Sequence, residues 1–295
     1  MRRRVTRCGA RACHWHSGGV AALVTLTDDV QLYVDSIGKA TDAPLLLISG
    51  FASSMDWWPD ELCERLAAGG RFVIRYDHRD TGRSITYPPG AASYSWTDLM
   101  DDVPKLLDAL GLPSAHLVGF SMGGAFAQLV ALHHHERARS LVLMSTTACG
   151  ADLPAMSDEL KTFYDARTDP DWANRDAVID HILAEERALS GSLPFDEATR
   201  RAVVARTVDR STNIAASANH GKVQGAPPWS SRLGEIRAPT LVVHGTEDPL
   251  FPLTHGMALA LAIPSATLLQ LERVGHEMPP QTWELVLPAI LRHTS

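Results

Sequence analysis

Ser121 lies in Gly119-Phe120-Ser121-Met122-Gly123, where the apolar run 116–119 gives way to a helix-like stretch. A hydroxyl alone is a poor nucleophile. On a sharp strand-to-helix turn it projects above a sheet, and small neighbours let the backbone take the strained angles this needs. The same turn sets the amide of Met122 at a helix N-terminus, aimed where an oxyanion would develop. Such a serine requires a general base, and the base requires an acid to orient it. On an α/β sheet the acid and then the histidine follow the serine along the chain. Downstream, the buried run 241–243 ends in Gly245-Thr246-Glu247-Asp248-Pro249, and the run 267–271 leads into Val274-Gly275-His276. Asp248, in the loop proper just before Pro249, is the better acid, with Glu247 its rival. The predicted triad is Ser121, Asp248 and His276, each at a strand's C-terminal end, where the site of an open α/β sheet is expected.

The elements that must hold these residues are readable as short apolar runs alternating with helical periodicity. Runs at 30–34, 45–48, 72–76, 116–119, 141–144, 241–243 and 267–271 read as strands. All but the first, which alternates, are of the continuous Val/Ile/Leu kind found in parallel sheets covered on both faces. Helical spacing shows at 60–68, 99–110, 125–133, 254–262 and 282–291. The pattern predicts a doubly wound α/β sheet. Between 151 and 230 the strand signals vanish; the segment is charged and helix-prone, as at 176–189 and 196–208, and reads as a helical cap over the strand ends. The resulting division is a leader at 1–22, read as disordered, a core at 23–150 and 231–295, and a cap at 151–230.

Composition narrows the function. The 295 residues carry a net charge of −7, and five arginines precede the first acid, which leaves the rest of the chain at −12. An acidic body argues against nucleic acid as a partner, because phosphate binding is largely electrostatic. Four cysteines are too few for a disulfide framework at this length. Residues 115–132 lack Lys, Arg, Asp and Glu, yet the glycines and serine at their centre suit a strand, turn and helix rather than a membrane span. The basic N-terminus lacks the small-residue cleavage site of a secretory signal. Cys8, Cys13, His14 and His16 are close in sequence but have no second ligand pair, and His133-His134-His135 reads as a polar helix end. The expectation is a cytoplasmic protein without membrane attachment.

With the triad and the cap in place, the chain from about Thr25 onward resembles the serine esterases of the α/β-hydrolase superfamily. Tyr76-Asp77-His78-Arg79-Asp80-Thr81-Gly82-Arg83-Ser84 resembles their Asp-x-Arg-Gly-x-Gly-x-Ser turn after the fourth strand. In this form it is especially similar to aclacinomycin methylesterases and related esterases acting on polyketides, near which macrolide esterases also lie. The resemblance implies an eight-stranded, mostly parallel sheet with a helical cap after strand six, a small-molecule ester as substrate, and no metal or organic cofactor. One departure stands out. The loop after the third strand often begins His-Gly in this superfamily but reads Ser49-Gly50-Phe51-Ala52-Ser53 here. The second oxyanion donor would be the amide of Phe51, which does not itself require that histidine. Trp57 and Trp58 follow, either lining a pocket or pinning the loop to the first helix.

Rival readings are a general short-chain carboxylesterase, a carbon–carbon bond hydrolase, and a non-catalytic small-molecule receptor. Halide displacement and epoxide opening on this fold need an aspartate at the elbow, which Ser121 is not. Carbon–carbon hydrolases usually carry more glycine and an asparagine in the oxyanion loop, absent here. Substrate choice would lie in the cap, whose large aromatics are Phe163, Tyr164, Trp172, Phe195 and Trp229.

Overall fold

A computed structural model describes residues 6–8, 21–225 and 227–295, for residues 6–8 the backbone only. In chain order its elements begin with β1 (Thr6–Cys8), β2 (Ala22–Thr27), β3 (Val30–Ile37), β4 (Ala43–Ile48), α1 (Asp60–Ala68) and β5 (Arg71–Tyr76). There follow α2 (Trp96–Ala109), β6 (Ala115–Phe120), α3 (Met122–His133), β7 (Ala138–Met144), α4 (Asp158–Ala166), α5 (Arg175–Leu189) and α6 (Glu197–Arg210). The chain closes with β8 (Thr240–Gly245), α7 (Thr254–Ala262), β9 (Thr267–Leu271) and α8 (Trp283–His293).

The strands lie in the order β1-β2-β3-β5-β4-β6-β7-β8-β9. From β5 to β9 neighbours run parallel, while β3 is antiparallel to both β2 and β5. The eight strands β2 to β9 are the sheet the resemblance implies, and the three-residue β1 extends it by pairing parallel to β2. Strand order reverses at β4, with β5 on one side and β6 on the other. The crevice beyond the C-terminal ends of strands at such a switch point is where ligands bind in open α/β sheets.

Continuous apolar strands require cover on both faces, and the core is divided accordingly. Along β4, Leu46 and Ile48 join a cluster with Leu99, Val103, Phe126 and Val130 of α2 and α3. Leu45 and Leu47 point the other way, with Leu62 and Leu66 of α1 and Val286 and Ile290 of α8. A Ser95–Asp98 capping box starts α2 by satisfying orphan amides at its first turn. The segment between β7 and β8 carries α4, α5 and α6 and two 3-10 segments, Ile214–Gly221 and Ser230–Glu235. Of these, α4 had no counterpart in the sequence pattern. Among the described residues no helix is long and apolar enough to cross a membrane; residues 115–132 fold as β6, a turn and α3. The sequence reading of Cys13, His14 and His16 falls outside the described residues.

Candidate active site

At the end of β6 the chain turns at Ser121 with φ 53° and ψ −118°, a left-handed conformation an L-residue avoids unless its surroundings hold it. The surroundings do hold it. The Ser121 amide donates to the Met144 carbonyl at 2.9 Å, and the Ser121 carbonyl accepts from Thr146 Oγ1 at 2.7 Å. The flanking glycines are required by close approach: a Cβ on Gly119 would lie 2.2 Å from the Gly123 carbonyl oxygen, and one on Gly123 would lie 2.1 Å from the Ile48 carbonyl oxygen. Packing this tight leaves the serine on the first residue before α3, with Met122 opening the helix and its amide among the unpaired N-terminal donors.

His276 and Asp248 come together from the loops after β9 and β8. His276 Nδ1 and Asp248 Oδ2 are 2.8 Å apart, and both side chains are buried. A carboxylate accepts only, so Nδ1 carries the proton and Nε2 is left as the basic nitrogen. Asp248 Oδ1 accepts from the amides of Leu250 and Phe251 at 2.9 and 2.8 Å. Burial pushes the Asp248 pKa up, but the histidine and the amide donors prevail and hold it below the ordinary carboxylate value. The ring of Phe120, which immediately precedes Ser121, lies 5.1 Å from the His276 ring, and Phe251 meets that ring edge-on at 5.4 Å. Glu247, the rival acid, instead accepts from the amide and hydroxyl of Ser192.

The loop after β4 runs against Ser121: a Cβ on Gly50 would sit 3.3 Å from that of Ser121. Phe51, whose amide is the expected second donor, exposes 47% of its surface at this point. The two tryptophans part company. Trp58 is buried in the cluster of α1 and α8, and its carbonyl accepts from Cys63 Sγ at 3.7 Å, so it pins the loop to the first helix. Trp57 is half-buried beneath the guanidinium of Arg200 from α6, 5.1 Å from the ring centroid. Of the cap aromatics, Trp229 is core, donating to Gln128 Oε1 at 3.0 Å. A separate hollow of about 430 Å³ between α2, α3 and Trp229 includes no member of the triad.

Sequence reasoning missed four histidines around this site. His244 Nε2 donates to the Phe251 carbonyl at 2.7 Å, leaving a buried and unpaired Nδ1. His255 bridges Thr147 Oγ1 and the Pro154 carbonyl. His78 and His220 lie behind the loop after β4. Burial keeps His244 and His220 below the usual histidine pKa and pulls His78 down to about 3. No local motif marks His220, His244 or His255, and His78, although it lies within the turn at 77–84, was given no role of its own. The turn at residues 77–84, by contrast, was legible, and its role is structural. Asp77 accepts from the amides of Met55 and Arg83, Asp80 from Tyr87, Tyr94 and Asn219, and Arg79 forms a bidentate pair with Asp102.

A strand–turn–helix serine, a histidine–aspartate pair from the next two strand ends and a doubly wound sheet define a class, and the family comparison agrees. Residues 43–280 match the model of the alpha/beta hydrolase fold family, and the chain belongs to that family. Among curated proteins it is 34% identical over 286 residues to rhodomycin D methylesterase DauP of Streptomyces sp. (strain C5), covering 90% of this chain and 96% of the relative. It is 35% identical over 291 residues to rhodomycin D methylesterase DnrP of Streptomyces peucetius, with the same coverage. Among solved structures, the esterase RhEst1 from Rhodococcus sp. ECU1013 superposes with a TM-score of 0.75 at 20% identity, over 92% of this chain and 98% of that one. The protein is a carboxylic-ester hydrolase of this family.

Proposed function

We propose that the protein hydrolyses an ester of a bulky polyketide, a methyl ester in the first instance, through an acyl-enzyme on Ser121. The observation that carries the reading is the 2.8 Å Asp248–His276 pair, together with a serine held at φ 53° on the strand-to-helix turn whose neighbour Phe120 lies 5.1 Å from the His276 ring. Ser121 Oγ attacks the ester carbonyl while His276 Nε2 takes its proton, and Asp248 fixes the tautomer and stabilises the imidazolium. The amides of Phe51 and Met122 hold the oxyanion, each contributing about 3–4 kcal/mol to the transition state. His276 then protonates the departing alcohol and activates the water that releases the acid. Phe51 is exposed and the rings of Phe120 and Phe251 pack on His276, so apolar groups surround the base, and the two methylesterase relatives support the methyl ester.

The test is mass spectrometry of products from an anthracycline methyl ester, a sixteen-membered macrolide and 4-nitrophenyl acetate, with Ser121→Ala as the blank. Conversion of the methyl ester to its acid with release of methanol, absent in the blank, is the expected result. Ring opening of the macrolide alone, by gain of one water, would move the reading to a lactone esterase and antibiotic inactivation. Turnover of the nitrophenyl ester alone would leave a general carboxylesterase. Near-normal activity of Ser121→Ala would end the mechanism.

A further inference from the structure

The loop after β4 begins Ser49-Gly50-Phe51. Two imidazoles approach the loop from elsewhere in the chain. His78, in the turn after β5, donates from Nε2 to the Ser49 carbonyl at 3.1 Å. His220, in the 3-10 segment Ile214–Gly221 that follows the cap helices, accepts at Nδ1 from the Ala52 amide at 3.1 Å. Its Nε2 donates to the Arg79 carbonyl at 2.8 Å. A carbonyl can only accept and an amide N–H can only donate, so the partners fix both the neutral state and the tautomer of His220. Burial, which lowers its pKa, acts in the same direction. The residue so held, Ala52, has φ 53°, a backbone conformation alanine avoids unless constrained. Phe51 itself is gripped by the same segment, its ring edge-on to His220 at 5.9 Å and a Cβ on Gly221 falling 3.2 Å from its ring.

Resting on the serine-esterase reading above, we infer that His220 is a positioning residue for the oxyanion hole: by holding Ala52 it fixes the direction of the adjacent Phe51 amide. Support for the loop comes from the segment between β7 and β8. The oxyanion hole is complete only when that segment is docked, so seating of the cap and transition-state stabilisation are coupled through one imidazole. The effect falls on the transition state more than on substrate binding, because the donor is aimed at the developing oxyanion.

Three variants of the full chain separate this role from mere packing. In His220→Asn, Oδ1 takes the place of Nδ1 and can still accept from Ala52. In His220→Gln, the amide nitrogen takes the place of Nε2 and keeps only the bond to Arg79; His220→Ala keeps neither. With 4-nitrophenyl acetate, kcat for the Ala and Gln variants is expected to fall on the order of 10- to 100-fold with KM within about twofold, and Asn is expected to recover most of the loss. Affinity for an alkyl trifluoromethyl ketone, whose serine adduct bears the oxyanion, is expected to fall by the same factor as kcat. Equal losses in Asn and Gln, an unchanged ketone affinity, or an Ala variant within about twofold of the parent would overturn the proposal. If Ala does not fold, the Asn–Gln contrast still decides. Ser121→Ala distinguishes the two levels: an active Ser121→Ala sinks the esterase reading, whereas a dead one beside an unimpaired His220→Ala sinks only the role of His220.

Discussion

The helix that follows Ser121, α3, and the helix α6 between β7 and β8 are built on opposite principles. In α3 every residue from Met122 to Ala131 is buried, and Gly123 and Gly124 let it touch the Ile48 carbonyl and Thr146. In α6 only Val204 and Thr207 are buried. Its hold on the core is ionic: Arg210 spans Asp77 and Asp56 at 2.6–2.7 Å, and Arg206 reaches Asp56 and Asp60. Close packing fixes a strained serine to within fractions of an ångström, because displaced atoms lose contacts they cannot replace. Charges on a half-wet helix give a hold that is strong where buried and weak where exposed. The floor under Ser121 is thus close-packed, whereas α6 is held to the core largely by ion pairs.

The contrast can be broken by experiment. Gly123→Ala should have the largest effect, since its Cβ would meet backbone oxygen that cannot yield; a loss above about 4 kcal/mol is expected, seen as failure to recover folded protein. Recovery of a fully stable Gly123→Ala would show that the floor is not rigid. Arg210→Ala leaves Asp77, which is 0% exposed, without its cation. Such a loss costs about 3–5 kcal/mol, to be read from the denaturation midpoint, and the cap should become sensitive to protease before the core does.

A pH series sharpens the picture on the floor side. His78 is neutral in the fold, its pKa pulled down from 6.5 to about 3, so below pH 6.5 the unfolded chain binds the proton and the native chain does not. Stability from this group is complete above that value and falls with acidification, by about 1.4 kcal/mol per unit, until the pH nears 3. His78→Gln should flatten the dependence of melting temperature on pH; an unchanged slope would remove His78 from the account. The smallest effect belongs to Arg201→Ala on the outer face of the cap, whose partner Asp180 is also largely exposed. Less than about 1 kcal/mol is expected, and a loss rivalling that of Arg210→Ala would erase the distinction between buried and exposed ion pairs.

These differences also govern what could be read in advance. Strands β4 to β8 announce themselves because burial on both faces leaves a continuous apolar stretch in each, such as Leu45–Ile48 and Leu241–Val243. The elbow is legible because Gly119, Ser121 and Gly123 answer a local steric demand. By contrast α4 is only nine residues long and buries a single one, Leu160, so packing leaves little mark on its sequence. Trp57 and Trp58 looked equivalent, yet one step in the chain sends the second into the core and leaves the first under Arg200.

The sequence by itself marked Ser121 on its turn, the loops that carry Asp248 and His276, and the sheet they belong to, because each of these leaves a signal in residues within a few positions of itself. Only the tertiary structure decided that His276 meets Asp248, that Arg210 reaches Asp77 across 133 positions, and that a histidine at 220 supports a loop at 52. Such contacts are set by how the sheet is ordered and where the cap returns to it. Topology leaves no local trace at either end of the contact.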